Sequence, residues 1–249
     1  MRFENKTALV TGGTSGIGLA VARRLLDEGA HVVVTGRDAA RLDTAVAGLG
    51  PRASGVRGDA SSLTDLDVVV DAIRDRHGRL DVVFANAGVA GFAAVEDVTE
   101  QEFDRIVDTN FKGVYFTVRK TLPLLGDHAA IVINASWTLH RGLPGASVYA
   151  ATKAAVHNLA RTLVADLAPR GIRVNSVSPG YIRTPMFDEH VPDGTHAAIL
   201  GAVPAGRFGT PEDVAGVVAF LASADAAYVD GQDVVVDGGL VATHSSTVD

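Results

Sequence analysis

Short apolar segments rich in β-branched residues recur along the 249-residue chain, and most are followed by a longer stretch with helical periodicity. The first pair is the run Thr7–Thr11 and the helical segment from Leu19 to Glu28. Further runs typical of buried strands span 31–35, 53–56, 80–84, 130–134, 173–177 and 234–236. This alternation predicts right-handed β-α-β crossovers, and hence an α/β fold with a doubly wound parallel sheet of about seven strands and helices on both faces.

The composition is typical of a globular protein with a substantial core, since 47% of the residues are hydrophobic and 20% are charged. No linker or low-complexity stretch divides the sequence, so residues 1–249 are predicted to form a single domain. The net charge of −7 argues against a nucleic-acid partner, and the lack of cysteine excludes disulfides and thiolate metal sites. Without an apolar segment of signal-peptide or membrane-spanning type, we expect a cytoplasmic protein with no membrane partner.

A glycine-rich turn separates the first predicted strand from the helix after it. It has the sequence Thr11-Gly12-Gly13-Thr14-Ser15-Gly16-Ile17-Gly18. Glycines let the backbone approach a pyrophosphate closely, and the free N–H groups at the start of the helix stabilise its charge. The turn therefore predicts dinucleotide binding, although a purely structural turn is the alternative for this motif alone.

The residues after the second predicted strand bear on cofactor choice. An acidic residue there would favour NAD by accepting from the ribose 2′-hydroxyl, but this chain has Gly36 followed by Arg37. A guanidinium group suits a 2′-phosphate, so NADP(H) is the preferred cofactor and NAD(H) a possible one. The alternative is that Arg37 is solvated and Asp38 only caps the helix that starts near Ala39.

Three polar residues form a candidate catalytic group. Ser136 follows a predicted strand, and Tyr149 and Lys153 lie one turn apart on the next helix, so they share a face. The Lys153 ammonium and a cationic nicotinamide would lower the pKa of the Tyr149 phenol from its usual value of about 10. Tyr149 is thus predicted to exchange a proton with a carbonyl or hydroxyl group, while Ser136 stabilises charge on the same oxygen. The alternative is an amphipathic pair on a helix surface.

These motifs jointly resemble the short-chain dehydrogenase/reductase family over nearly the whole chain. The matching elements are Thr11-Gly12-x-x-x-Gly16-Ile17-Gly18, Asp59-Ala60, Asn86-Ala87-Gly88, Asn110, Ser136, Tyr149-x-x-x-Lys153, Pro179-Gly180 with Thr184, and Asp237-Gly238-Gly239. The resemblance implies a Rossmann-like fold, a nicotinamide cofactor, a small-molecule carbonyl or alcohol substrate, and a homo-oligomer, either a tetramer or a dimer.

The resemblance also implies roles for individual residues. Asp59 and Ala60 would contact the adenine, the loop from Asn86 to Gly88 would flank the cofactor, and Ile182 and Thr184 would hold the nicotinamide amide or nearby phosphates. The full set expected to bind cofactor is Gly12, Thr14, Ser15, Gly16, Ile17, Gly18, Arg37, Asp59, Ala60, Asn86, Ala87, Gly88, Tyr149, Lys153, Pro179, Gly180, Ile182 and Thr184.

Asn110 would be a fourth catalytic residue. In the family such an asparagine kinks a helix and holds a water that connects the lysine to solvent, and it falls here in the apparently helical stretch from Phe103 to Val118. A solvated surface asparagine is the alternative. The chain departs from the family pattern at Ala85, where asparagine is common, and at Trp137, where small residues are usual.

The substrate is predicted to be an apolar or aromatic ring ketone. The expected contacts are Trp137, Leu143, Tyr181, Met186 and Phe187, with residues 185–205 forming a mobile flap over the substrate.

Polar residues near the expected substrate contacts bear on both substrate binding and metal binding. His140 and Arg141 could meet a polar substituent, although loop residues of this type are more often solvated. His157, His190 and His196 lack ligand spacing with carboxylates, so no catalytic metal is predicted.

Three functions are compatible with this sequence. The preferred one is an NADP(H)-dependent ketoreductase or secondary-alcohol dehydrogenase. A nucleotide-sugar epimerase or dehydratase can use the same Tyr/Lys pair, but such enzymes usually carry a longer C-terminal substrate domain than the segment after Thr184. A non-catalytic, dinucleotide-sensing regulator would be marked by loss of the serine, tyrosine or lysine, and all three are present.

Overall fold

The computed structural model describes residues 1–243, and its core is one sheet of seven strands. The strands are β1 (Thr7–Val10), β2 (His31–Gly36), β3 (Ala53–Arg57), β4 (Leu80–Ala85), β5 (Leu125–Asn134), β6 (Arg173–Pro179) and β7 (Asp233–Val236). All neighbours pair in parallel, in the order β3-β2-β1-β4-β5-β6-β7. The predicted doubly wound, Rossmann-like α/β fold is confirmed.

Helices cover both faces of this sheet. They are α1 (Gly16–Asp27), α2 (Ala39–Leu49), α3 (Leu63–His77), α4 (Glu100–Val107), α5 (Gly113–Thr121), α6 (Ser147–Leu167), α7 (Pro185–His190), α8 (His196–Gly201) and α9 (Pro211–Ala222). Successive strand residues point to opposite faces, so Val32 and Val34 pack with α1, α2 and α9 while Val33 packs with α3, α5 and α6. Both faces are therefore covered by buried apolar side chains, which leaves the strand ends for ligand binding.

Within residues 1–243, none of the helices combines the length and the apolar character needed to cross a bilayer.

Strand β5 is longer than the sequence pattern predicts. It begins at Leu125, which pairs with Leu80 of β4, rather than at residue 130. The exposed residues Asp127 and His128 interrupt its apolar run, and the pairing register with β4 shifts between Leu80 and Val82. Because exposed polar residues interrupt the apolar run, the sequence pattern does not show where this strand begins.

The segment predicted to be helical from Phe103 to Val118 is not one regular helix. Helix α4 is followed by a π-helical turn over Asp108–Lys112, and α5 continues from Gly113. Asn110 lies in this turn and is fully buried, so the alternative of a solvated surface asparagine is wrong. Single π turns are frequent at functional sites because they redirect side chains.

The strand order changes direction between β1 and β4, since β2 and β3 lie on one side and β5 to β7 on the other. In open parallel sheets this switch point leaves a crevice at the carboxyl ends of the strands. The segment predicted to be a flap borders the same edge and forms α7, a 3₁₀ turn and α8. Phe187 of α7 is buried against Phe208, with ring centroids 4.8 Å apart.

Candidate active site

A cleft of about 400 Å³ opens at the carboxyl ends of the strands. Every site residue predicted from the sequence lines this cleft, except Asn110. The fold thus brings together residues from all parts of the chain, from Gly12 to Phe187. Such convergence follows from a parallel sheet, in which every strand ends at the same edge.

Residues other than glycine would not fit at several positions of the turn after β1. Gly12 has φ +64° and Gly16 has φ +51°, in the left-handed region that favours glycine. A Cβ atom on Gly18 would lie 2.3 Å from the Gly12 carbonyl oxygen. The N-cap Ser15 makes no side-chain hydrogen bond to the first turn of α1, which leaves the amides there available to a ligand. This cradle fits a pyrophosphate.

The loop after β4 holds the glycine turn in place. The Asn86 amide nitrogen Nδ2 donates to the carbonyl oxygens of Thr11, at 2.9 Å, and of Gly12, at 3.2 Å. The Thr11 hydroxyl oxygen accepts from the backbone N–H groups of Asn86 and Ala87, each at 3.0 Å. The predicted loop from Asn86 to Gly88 therefore supports the turn as well as lining the cleft.

Two arginines line the cleft beyond β2. Arg37 is exposed and its Nη1 lies 3.8 Å from the Asp59 carboxylate, while Arg41 extends from the first turn of α2. The Asp38 carboxylate accepts from the Arg41 backbone N–H at 3.0 Å and caps α2. The capping role of Asp38 is thus present, and the same carboxylate lies 4.0 Å from Arg41 Nε.

Tyr149 and Lys153 lie in the first two turns of α6, and both line the cleft. Lys153 is buried and its Nζ donates to the Asn134 carbonyl oxygen at 2.8 Å. Its Nζ lies 5.8 Å from the centroid of the Tyr149 ring. The predicted juxtaposition of the two side chains is therefore present.

Burial shifts the pKa values of both Tyr149 and Lys153. Burial raises the pKa of the Tyr149 phenol, and a hydrogen bond with Ser136 opposes that rise only in part. Burial also lowers the pKa of Lys153 to about 8. In each case, loss of solvent penalises the charged form of the group. The expected lowering of the Tyr149 pKa by the ammonium together with a cationic nicotinamide stays a prediction.

Ser136 follows β5 and begins a 3₁₀ turn over Trp137–Leu139. Its Oγ accepts from the Thr138 backbone N–H at 3.3 Å and contacts the Thr138 hydroxyl at 3.0 Å. Since Oγ acts as the acceptor for the backbone donor, the Ser136 O–H can donate to a substrate oxygen. Thr138 also lines the cleft and was not predicted from the sequence.

Asn110 lies behind the cleft wall and joins two elements. Its Oδ1 accepts from the Val89 N–H at 2.8 Å, and its Nδ2 donates to the Val89 carbonyl oxygen at 2.9 Å. Nδ2 also lies 3.3 Å from the Thr152 hydroxyl oxygen on α6. The π-helical turn therefore connects the loop after β4 to the helix that carries Tyr149 and Lys153.

The far end of the cleft is walled by aromatic side chains. The rings of Trp137 and Tyr181 have centroids 5.1 Å apart, and Phe92 lies 5.8 Å from Tyr149 and 5.5 Å from His190 by the same measure. All five residues line the cleft. An apolar ring could lie among them while its polar group faces Tyr149.

Comparison with known proteins identifies the family. A protein-family model described as Enoyl-(Acyl carrier protein) reductase matches residues 12–241. The chain is 40% identical over 241 residues to "Oxidoreductase asL5" of Sarocladium schorii, covering 96% of this chain and 97% of that protein. The chain belongs to the short-chain dehydrogenase/reductase family.

Solved structures of other short-chain dehydrogenases/reductases have the same fold as this chain. The crystal structure of levodione reductase superposes with a TM-score of 0.92 at 33% identity, covering 98% of this chain and 100% of that one. A 3-ketoacyl-(acyl-carrier-protein) reductase from Brucella melitensis, complexed with NADH, matches with a TM-score of 0.89 at 34% identity, covering 96% and 99%. The chain is accordingly an NAD(P)(H)-dependent oxidoreductase.

Some residues at this short-chain dehydrogenase/reductase site were not predicted. Asn134 holds Lys153 through its backbone carbonyl, a contact that its side-chain type does not signal. Arg41 reaches the cleft from the first turn of α2, whereas Arg37 precedes that helix, so helical spacing does not relate the two arginines. His190 reaches the cleft from α7. His140 and Arg141, considered for a substrate substituent, instead contact Asp233 and the Leu240 carbonyl oxygen.

Proposed function

We propose that this short-chain dehydrogenase/reductase is an NADP(H)-dependent ketoreductase or secondary-alcohol dehydrogenase. The observation that carries the proposal is the convergence of Ser136, Tyr149 and Lys153 on one cleft that also contains the glycine cradle. A general acid, a hydroxyl donor and a buried amine around one point are suited to a carbonyl that gains a hydride and a proton.

In the reducing direction, Tyr149 is the proton donor. Its raised pKa keeps the phenol protonated at neutral pH, so it can donate to the carbonyl oxygen while Ser136 donates a hydrogen bond to the same atom. Lys153, charged at pH 7 with a pKa of about 8, favours the phenolate left after proton transfer. The nicotinamide, when bound, supplies or accepts the hydride.

The remaining polar residues position these groups. The Asn134 carbonyl oxygen fixes the Lys153 ammonium, and Asn110 holds α6 against the loop after β4. We assign to Asn110 the role of connecting Lys153 to solvent through a water. The amides at the start of α1 and the Gly12 turn would bind the pyrophosphate.

The preference for NADP(H) over NAD(H) rests on Arg37 and Arg41. No acidic residue occupies the end of β2, where Gly36 precedes Arg37. A 2′-phosphate between two guanidinium groups would form charge-assisted hydrogen bonds, each contributing about 1.5–3 kcal/mol. The Asp59 carboxylate, 3.8 Å from Arg37 Nη1, and the Asp38 carboxylate, 4.0 Å from Arg41 Nε, compete with the phosphate for these two groups.

The substrate class follows from the aromatic walls. Trp137, Tyr181 and Phe92 bound the space next to Tyr149, and Leu143, Met186 and Phe187 extend it with further apolar surface. We expect a ketone on an apolar or aromatic ring, with α7 and α8 acting as a flap that orders over it.

One experiment tests both the reaction and the cofactor. Nicotinamide absorbance is followed with NADPH and NADH against aliphatic, sugar, steroid-like and polycyclic aromatic ketones. The proposal expects NADPH oxidation that is fastest with ring ketones. Turnover confined to nucleotide sugars would favour an epimerase or dehydratase, and nicotinamide binding without turnover of any carbonyl or alcohol would favour a regulatory protein.

A further inference from the structure

A buried polar cluster lies next to the substrate end of the cleft, and the proposed reaction does not use it. Its centre is Asp233 of β7, whose side chain is 6% exposed. The Asp233 carboxylate accepts from the hydroxyls of Ser176, at 2.6 Å, and Ser178, at 2.8 Å, both on β6. His140 Nε2 lies 2.8 Å from the same carboxylate, and His157 Nδ1 lies 3.9 Å from it.

The cluster resembles a Ser/His/Asp catalytic group only in composition. Ser176 and Ser178 are fully buried, so neither hydroxyl can reach a substrate. Both serines also contact the carboxylate directly, whereas an activated serine needs a histidine between itself and the acid. A nucleophilic role is therefore excluded on geometry, and the contacts are better suited to holding a structure in place.

The structure held by the cluster is the wall of the substrate pocket. His140 directly follows the 3₁₀ turn over Trp137–Leu139, and the next residues, Arg141 and Gly142, are exposed. His140 thus connects this loop to β7 through its side chain, and Arg141 adds a second contact, from Nη1 to the Leu240 carbonyl oxygen at 3.4 Å. A hydrogen bond to a carboxylate is about twice as strong as one between neutral groups, so this contact matters for a short turn.

The same carboxylate is close to the catalytic helix. His157 lies four residues after Lys153 on α6, and its Nδ1 is 3.4 Å from the Ser176 hydroxyl. The rings of His140 and His157 have centroids 6.1 Å apart. Asp233 therefore lies between the loop that carries Trp137 and the helix that carries Tyr149 and Lys153.

We propose that Asp233 is a positioning residue for substrate binding: through His140 it fixes the Trp137–Leu139 turn against β6 and the catalytic helix. The inference rests on the proposed ketone reduction for its kinetic readout. Because the cluster lies away from the glycine cradle, it acts on substrate affinity and leaves cofactor binding unchanged.

The test compares His140→Leu, which removes the hydrogen bond, with His140→Gln, whose amide nitrogen can occupy the position of Nε2. Trp137 is the single tryptophan of the chain, so its fluorescence reports on the turn directly. For His140→Leu we expect KM for a ring ketone to rise about tenfold, a change equivalent to about 1.4 kcal/mol, with kcat within about twofold of the parent. Trp137 emission should shift to the red, and His140→Gln should restore most of both properties.

Two controls make the result specific. His31→Leu changes an exposed histidine at the start of β2 and should leave KM and Trp137 emission unchanged. The Kd for NADPH should be the same in all variants. If His140→Leu does not fold, His140→Asn replaces it, because the shorter amide cannot reach Asp233.

The inference is overturned if folded His140→Leu retains the parent KM and Trp137 emission, or if kcat falls while KM does not change. Failure of the proposed function has a different signature. If the parent reduces no ketone, the emission shift and its rescue by His140→Gln still test whether Asp233 fixes the turn.

Discussion

The walls at the two ends of the cleft differ in whether backbone or side-chain atoms form them. At the nucleotide end the wall is largely backbone, with Gly12 and Gly16 in left-handed conformations and Gly18 against a carbonyl oxygen. At the substrate end the wall consists of side chains, and Phe92, Trp137 and His190 reach it from separate segments of the chain. A backbone wall tolerates few residue types, whereas a side-chain wall can be changed without altering the fold. Substitutions should therefore act on cofactor binding at the nucleotide end and on substrate choice at the substrate end.

Lys153 lies where the two ends meet, and among the substitutions that compare the two ends, Lys153→Met should have the largest effect. We expect kcat/KM to fall about a thousandfold, within the range typical of lost acid–base assistance. The variant should nevertheless be more stable at pH 7, by roughly 1–3 kcal/mol, because burial of an ammonium costs free energy.

The pH dependence of this stability difference provides the check. The pKa of Lys153 is lowered from 10.5 to about 8 in the folded protein, so the unfolded chain binds the proton more tightly. The cost to the parent is complete below pH 8 and disappears as pH rises through 10.5. Denaturant unfolding of the parent and the variant at pH 7.5 and pH 10 should show the gap closing. A gap that is absent at pH 7.5 would contradict the burial of a charged amine.

Gly18→Ala tests the backbone wall. The added Cβ would lie 2.3 Å from the Gly12 carbonyl oxygen, so the glycine turn must move. The Kd for NADPH should rise about a hundredfold, equivalent to about 2.7 kcal/mol. Gly48→Ala is the matched control, since a Cβ there meets no atom within 4 Å in helix α2. It should leave NADPH binding unchanged and stabilise the protein by about 0.5–1 kcal/mol. Equal NADPH affinity of Gly18→Ala and the parent would refute the backbone account.

The nucleotide end and the catalytic pair could be predicted from the sequence more completely than the side-chain contacts around them. The glycine turn and the pair Tyr149 and Lys153 are local patterns, and their position after strands follows from the alternation of strands and helices. The order of strands and helices was therefore accessible, and so was the placement of the predicted site residues at the cleft, with the exception of Asn110. Strand β5 was predicted too short because exposed polar residues interrupt it.

The features that the sequence did not predict depend on tertiary contacts. His140 meets Asp233, which lies 93 residues further along the chain, so no local pattern pairs them. The burial that raises the Tyr149 pKa is likewise a tertiary property, since it depends on how the folded chain encloses the phenol. Thr138 and Asn134 act through contacts that their residue types do not specify.

Arg37→Ala should produce a smaller and selective effect at the nucleotide end. Loss of one charge-assisted contact to a 2′-phosphate should reduce kcat/KM with NADPH by about tenfold or more and leave the value with NADH within about twofold. Arg23→Ala, an exposed substitution on α1, serves as the control for the lost charge. A preference for NADH that survives Arg37→Ala would contradict the cofactor assignment.

Trp137→Leu should have the smallest effect, confined to the substrate end. The KM for aromatic ring ketones should rise about fivefold, because stacking against an aromatic face contributes about 0.5–1.5 kcal/mol beyond burial. Small aliphatic ketones and NADPH binding should be unaffected, which steady-state kinetics and a fluorescence titration would measure. A matching loss in NADPH affinity would show that the two ends are not independent.

The central claim is that Tyr149 transfers the proton, and Tyr149→Phe tests it most directly. The substitution removes the hydroxyl group and retains the ring that packs near Phe92. Single-turnover reduction of a ring ketone should slow by about a thousandfold, while the Kd for NADPH stays within about twofold of the parent. Turnover by Tyr149→Phe equal to that of the parent would contradict the account.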